Sequence, residues 1–246
     1  LMSVLRMKPR RSASGVATIT VITKPWPCAS DCLYCPNDLR MPKSYIADEP
    51  ACQRAERTWF DPYLQVASRL RALGEMGHVT DKVELIILGG TWSDYPAAYR
   101  RWFVSELFRA LNEAGDPQRA AASAAERRAR YEEAGIPRDE EGCAQRVAAA
   151  QRRVDRAGAS YNEAFPELYG EGTPWQRIAA WQTAGWDDVE REHAANEQGA
   201  HRVVGLVMET RPDAVDARAF ADMRRLGGTK VQMGIQSLDP RILAAN

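Results

Sequence analysis

The chain has 246 residues, with 33 Lys and Arg against 33 Asp and Glu, so its formal net charge is zero. That excludes nucleic-acid binding by bulk positive charge, though not by a local basic patch. Its 45% apolar and 27% charged residues fit a globular chain rather than a disordered one. The longest apolar runs, near residues 16–22 and 85–88, are far too short for a transmembrane helix.

Residues 1–11 carry Arg6, Lys8, Arg10 and Arg11 with no apolar stretch long enough for a signal peptide, which points to the cytoplasm. Residues 16–23 are β-branched, bounded by Gly15 and Pro25, and read as a strand. Asp61-Pro62 starts a helix in which Leu64, Ala67, Leu70 and Leu73 repeat at helical spacing as far as Gly74. Residues 83–88 form a second strand ending in Gly89-Gly90. Residues 99–111 form an amphipathic helix with Phe103, Leu107 and Leu111 on one stripe, closed by Gly115.

The texture then changes. Residues 117–159 are rich in Ala, Arg and Glu and predict two helices broken between Gly135 and Pro137. Residues 161–199 are acidic, with eight Asp and Glu against two Arg, and carry Trp175, Trp181 and Trp186. Pattern returns with a buried strand at 203–208, a helix at 213–226 and a strand at 230–235. Residues 239–246 read as the first turns of a helix with no stop signal. With Leu1 as its opening residue, the chain reads as a piece of a longer protein.

Without residues 116–199 the order is β-α-β-α-β-α-β, which argues for parallel βαβ units in a doubly wound sheet or part of a (βα) barrel. Three segments follow: residues 1–115 with the first strands, a largely helical insertion at 116–199, and a continuation at 200–246. In either architecture ligands sit at the carboxyl ends of the strands. There the sequence places Cys28, Cys32 and Cys35, then Gly89, Gly90 and Thr91, then Glu209 and Arg211, then Gln236 and Ser237.

Five cysteines, an odd number, do not read as a disulfide scaffold. Cys28-x3-Cys32-x2-Cys35 can hold three irons of a 4Fe-4S cluster, leaving the fourth iron open to an exogenous ligand. Zinc would need a fourth ligand, and Cys52 and His78 stand at poor spacing for it; purely structural cysteines are the third alternative. His78, His193 and His201 have no paired spacing. Gly89 and Gly90 let main-chain groups approach the amino and carboxylate ends of an amino-acid moiety. Glu209 and Arg211 can bind a ligand or form a strand-end ion pair. Lys82, taken alone, reads as a solvated lysine at a strand start. No residue is assigned as catalytic.

Cys28-x3-Cys32-x2-Cys35 with Tyr34 before the last cysteine resembles the radical S-adenosylmethionine (SAM) signature. More specifically, Thr23-Lys-Pro-Trp-Pro-Cys28, Ser44-Tyr45, Phe60-Asp-Pro-Tyr-Leu-Gln65, Gly77-His78, Gly89-Gly-Thr91, Glu209-Thr-Arg-Pro-Asp213 and Gly234-Ile-Gln-Ser-Leu238 resemble the radical SAM domain of the elongator protein 3 family. The resemblance covers about residues 10–115 and 193–246. It implies a partial TIM-like barrel, truncated relative to the family and interrupted by the helical insertion. It implies a 4Fe-4S cluster on Cys28, Cys32 and Cys35, and S-adenosyl-L-methionine on the face formed by Gly89, Gly90, Thr91, Glu209, Arg211 and Gln236. It also implies acetyl-CoA as co-substrate, contacted by Lys82, and tRNA as the partner whose wobble uridine-34 gains a carboxymethyl-type group. Another radical SAM reaction, or a non-catalytic iron–sulfur protein, are the competing functions.

Overall fold

The computed structural model describes residues 12–30 and 32–244; the basic residues 1–11, Asp31 and the last two residues lie outside it. Four strands, β1 (Ala17–Ile22), β2 (Lys82–Leu88), β3 (Arg202–Thr210) and β4 (Lys230–Met233), form one sheet in the order β1-β2-β3-β4. Every neighbouring pair is parallel. The order follows the sequence without reversal, so the sheet lacks the switch point of a doubly wound fold.

Alternation in β1 and β2 decides which face is covered. Ala17, Ile19, Val21, Val83, Leu85 and Ile87 are buried, while Thr18, Thr20, Glu84, Ile86 and Leu88 on the other face are half-buried. The buried face joins one core with α2 (Pro62–Glu75) and α3 (Ala97–Glu113). Asp61 caps α2 by accepting the Leu64 N–H at 2.9 Å, and Pro62 occupies the first turn, where it costs no hydrogen bond. From α2, the Gln65 amide accepts the Ile22 N–H at 2.8 Å and donates to the Ile22 carbonyl at 2.9 Å, standing in for a strand neighbour at the edge of β1.

Residues 117–196 fold into helices joined by short loops: α4 (Pro117–Glu133), α5 (Glu140–Ala157), α6 (Tyr161–Tyr169), α7 (Pro174–Ala179) and α8 (Trp186–Asn196). They share the core of the sheet. Trp59 stacks on Tyr131 of α4 with centroids 5.2 Å apart, and its indole N–H donates to the Ile136 carbonyl at 2.9 Å. α8 lies along α3, joined by Asn112 Nδ2 donating to the Glu192 carbonyl at 2.9 Å and Asn196 Nδ2 donating to Asn112 Oδ1 at 2.8 Å.

Three elements differ from the sequence expectation. Residues 213–226 are not one helix. Pro212–Ala214 is a single 3-10 turn, Val215 is extended, and α9 runs Ala217–Arg225, capped by Asp216, which accepts the Ala219 N–H at 2.7 Å. The last strand stops at Met233 rather than residue 235, because Met233 pairs with Thr210, where β3 itself ends. A short helix not anticipated from periodicity, α1 (Pro50–Glu56), buries Cys52 and Ala55. Of residues 239–246, expected to open a helix, Pro240–Ala244 forms α10, and the last two lie outside the described residues.

Candidate functional site

The carboxyl ends of the strands open into a cavity of about 310 Å³. It is lined by Cys28, Cys32, Tyr34, Cys35 and Ser44 from the loop after β1, and by Gly89, Gly90 and Thr91 after β2. Glu209, Thr210, Arg211, Pro212 and Asp213 line it after β3, and Gly234, Ile235, Gln236 and Leu243 after β4. Of the residues expected at the strand ends, all but Ser237 line this one space, and Lys82 lies away from it. Lys82 is exposed at the first position of β2, beside Arg202 of β3, at the other end of the sheet.

Among the described residues none of the five cysteines forms a disulfide. Cys28 Sγ lies 3.6 Å from Thr91 Oγ1, and Cys35 Sγ lies 3.8 Å from Ser44 Oγ. Arg211 Nη1 donates to Cys32 Sγ at 2.9 Å, while its other nitrogens bind Asp213. Burial pushes the Cys35 thiol above its usual range, partly offset by the Ser44 hydroxyl. Among the described residues no three His, Cys, Asp or Glu converge on one ion-sized point. The three cysteine sulfurs nevertheless line one cavity, and thiolate sulfur is a donor type used in zinc and iron–sulfur sites alike. Cys52 and Cys143 are buried, and burial pushes both thiols up to about 12; neither lines the cavity.

The floor is shaped by Gly89 and Gly90. Gly89 has φ +138°, and a Cβ there would lie 1.9 Å from Thr23 Oγ1. A Cβ on Gly90 would lie 2.9 Å from Tyr95 Oη. A side chain at Gly89 would therefore collide with Thr23 at the end of β1, and one at Gly90 would have to displace the Tyr95 hydroxyl. Glu209 accepts the Tyr45 hydroxyl at 2.6 Å. Burial raises the Glu209 carboxyl above its usual range, against the opposing pull of Tyr45 and the Gly89 N–H.

A buried polar chain runs behind this wall. Lys24 Nζ donates to Gln182 Oε1 at 2.5 Å and lies 4.7 Å from the Tyr99 ring centroid. Burial lowers its pKa to about 7. Gln182 Nε2 donates to Tyr131 Oη at 3.2 Å, and Tyr131 donates to Asp61 Oδ2 at 3.1 Å. Burial raises Asp61 to about 6. Neither this chain nor the role of Tyr45 was foreseen from sequence, although Tyr45 and Lys24 both lie within the stretches that carry the resemblance.

No protein-family model matches the chain. It is 31% identical over 249 residues to the tRNA uridine(34) acetyltransferase of Methanocaldococcus infernus, covering 99% of this chain and 34% of that protein. It is 31% identical over 235 residues to the protein of the same name from Dehalococcoides mccartyi, covering 96% and 36%. To Elongator complex protein 3 of Schizosaccharomyces pombe it is 42% identical over 249 residues, covering 97% and 33%. The fold matches the solved structure of archaeal M. infernus Elp3 with an N-terminal deletion (1–46), with a TM-score of 0.50 and 24% identity, over 94% of this chain and 31% of that one. The chain spans about a third of the length of the relatives it matches. It is a homologue of the Elp3 / tRNA uridine(34) acetyltransferase family, matched along nearly its whole length.

Proposed function

We propose that this chain forms part of a TIM-like radical SAM barrel acting in modification of the wobble uridine at position 34 of tRNA, with acetyl-CoA as co-substrate. The observation that carries the reading is that Cys28, Cys32 and Cys35 all open onto one cavity at the carboxyl ends of four sequential parallel strands. A 4Fe-4S cluster with S-adenosyl-L-methionine would supply there, on one-electron reduction, a 5′-deoxyadenosyl radical for hydrogen abstraction.

The chain's own residues hold, orient and shield. The three cysteines bind the cluster. Gly89 and Gly90 bring main-chain groups to the cavity floor for the amino-acid end of SAM, with Thr91 beside them. Glu209, oriented by Tyr45, accepts hydrogen bonds from an ammonium or ribose hydroxyl, and Arg211 and Gln236 donate from the facing rim. Arg211 also places positive charge against the Cys32 sulfur. Lys82 cannot share this cavity: the seven residues of β2 separate the two ends by about 20 Å. Its role toward acetyl-CoA therefore requires the cofactor to reach the opposite end of the strands.

The helical residues 116–199 are proposed as an insertion between residues 1–115 and 200–246 of the barrel. Among the described residues no helix is long and apolar enough to cross a membrane. The test is anaerobic reconstitution followed by iron and sulfide assay and measurement of SAM-dependent 5′-deoxyadenosine. Three to four irons per chain with 5′-deoxyadenosine formed support the reading; a single zinc, or a cluster that does not cleave SAM, overturns it.

A further inference from the structure

The first turn of α6 grips both ends of the cysteine loop. The Asn162 side chain accepts the Cys28 N–H on Oδ1 at 3.1 Å and donates from Nδ2 to the Cys28 carbonyl at 2.7 Å. Its neighbour Tyr161, fully buried, donates to the Met41 carbonyl at 2.8 Å. One turn on, Phe165 packs edge-on against Trp26, with centroids 6.0 Å apart. The turn is itself fixed: Ser160 and Glu163 form a reciprocal capping box. From α5, Gln151 accepts the Leu39 N–H at 2.9 Å and donates to the Asn37 carbonyl at 3.2 Å.

A primary amide presents a donor and an acceptor side by side, as an extended backbone neighbour does. Pairing both with one residue fixes the peptide planes on either side of it, and so the direction of its Cα–Cβ bond. Only χ1 is then left to place the sulfur. Cys28 lies in a loop without regular structure, where an unanchored thiol would lose conformational freedom on binding a ligand.

We propose that Asn162 is a positioning residue for Cys28: through its amide, the helical stretch 140–169 presets the first thiol of the cavity. That this thiol serves a cluster rests on the function proposed above; the anchoring does not.

The experiment alkylates the metal-free full chain with iodoacetamide and maps the rate at each cysteine by mass spectrometry. In Asn162→Ala, Cys28 is expected to react at least about fivefold faster, the scale of one of the two hydrogen bonds the variant removes, while Cys35 stays within about twofold. Phe165→Leu trims the packing of α6 but keeps the amide, and should leave the Cys28 rate unchanged. After reconstitution, iron release from Asn162→Ala to a chelator should also accelerate about fivefold. In the unaltered chain, NMR hydrogen exchange should show the Cys28 amide protected, a readout that stands whether or not a variant folds. If iron is not taken up while the alkylation pattern holds, the cluster reading fails and the anchoring stands. An unprotected Cys28 amide, an unchanged Cys28 rate in Asn162→Ala, or an equal acceleration in Phe165→Leu would overturn the proposal.

Discussion

The hydroxyl of Tyr45 donates to Glu209 Oε2 at 2.6 Å across 164 residues of sequence, tying the cysteine loop to the end of β3. The bond favours the ionised carboxylate, while burial favours the neutral acid and keeps the Glu209 pKa above its usual value. Tyr45→Phe removes the donor, so it raises that pKa further. The variant should lose roughly 1–3 kcal/mol at the higher of two pH values, on the ionised side of the Glu209 titration, and much less at the lower, on the side where it is protonated in both proteins. Urea unfolding at the two pH values checks this. An equal loss at both would show that the hydroxyl acts by packing alone.

Each of Cys28→Ala, Cys32→Ala and Cys35→Ala is expected to abolish the visible absorbance of a reconstituted cluster, since each removes one of three sulfur donors. Cys52→Ala and Cys143→Ala should leave it intact, because those thiols are buried elsewhere and held protonated. Iron analysis of the five variants separates the two groups.

Stability should climb with pH through the Lys24 window. Burial lowers the amine from 10.5 in the unfolded chain to about 7 in the folded one. The unfolded state therefore holds more protons between these values, and stability rises as pH rises across them. Asp61 acts lower down: raised from 3.8 to about 6, it removes stability as pH rises through that range. Melting temperature should thus be lowest near pH 6 to 7 and rise above it. Lys24→Met should flatten the upper limb, and an unchanged slope in that variant would contradict the assignment to Lys24.

Gly89→Ala should be severely destabilising, by about 2–4 kcal/mol, from its positive φ and the collision with Thr23. Thr23→Ala removes the colliding Oγ1 and should recover part of that loss when the two changes are combined. Chemical denaturation of the two single variants and the double measures the coupling.

Lys82→Ala should change stability by no more than about 0.5 kcal/mol, as befits an exposed residue at a strand start. It should also spare iron content and SAM binding, because it stands at the far end of β2 from the cavity. Any role of Lys82 in acetyl-CoA use then shows as a raised KM for that substrate alone. Loss of SAM binding would contradict the geometry.

Much of the frame was legible in the sequence because strand and helix periodicities are local. The runs that form β1, β2 and β3 announce themselves, and the cysteines and glycines fall where those strands end. The boundary at Asp216 was less legible: Pro212 and Asp213 also look like a helix start, and only the extended Val215 moves the cap along the chain. The pairings that shape the loop after β1 were not legible at all. Gln65 with Ile22, Gln151 with Leu39 and Asn162 with Cys28 join residues 43, 112 and 134 positions apart. Each meets main-chain atoms, which every residue carries and no composition reveals.

That last property bears on how the loop can change over generations. Asn162, Gln151 and Tyr161 hold the loop by its amides and carbonyls rather than by its side chains. Substitutions at Ser30 or Leu33 leave those peptide groups in place, so the loop can acquire new surface chemistry without losing its anchors. The burden of invariance passes to the helices. A lineage could redecorate the surface of the loop through drift at exposed positions such as Ala29 and Leu33, outside the cysteines, whereas a single change at residue 162 would release Cys28 whatever those positions carry.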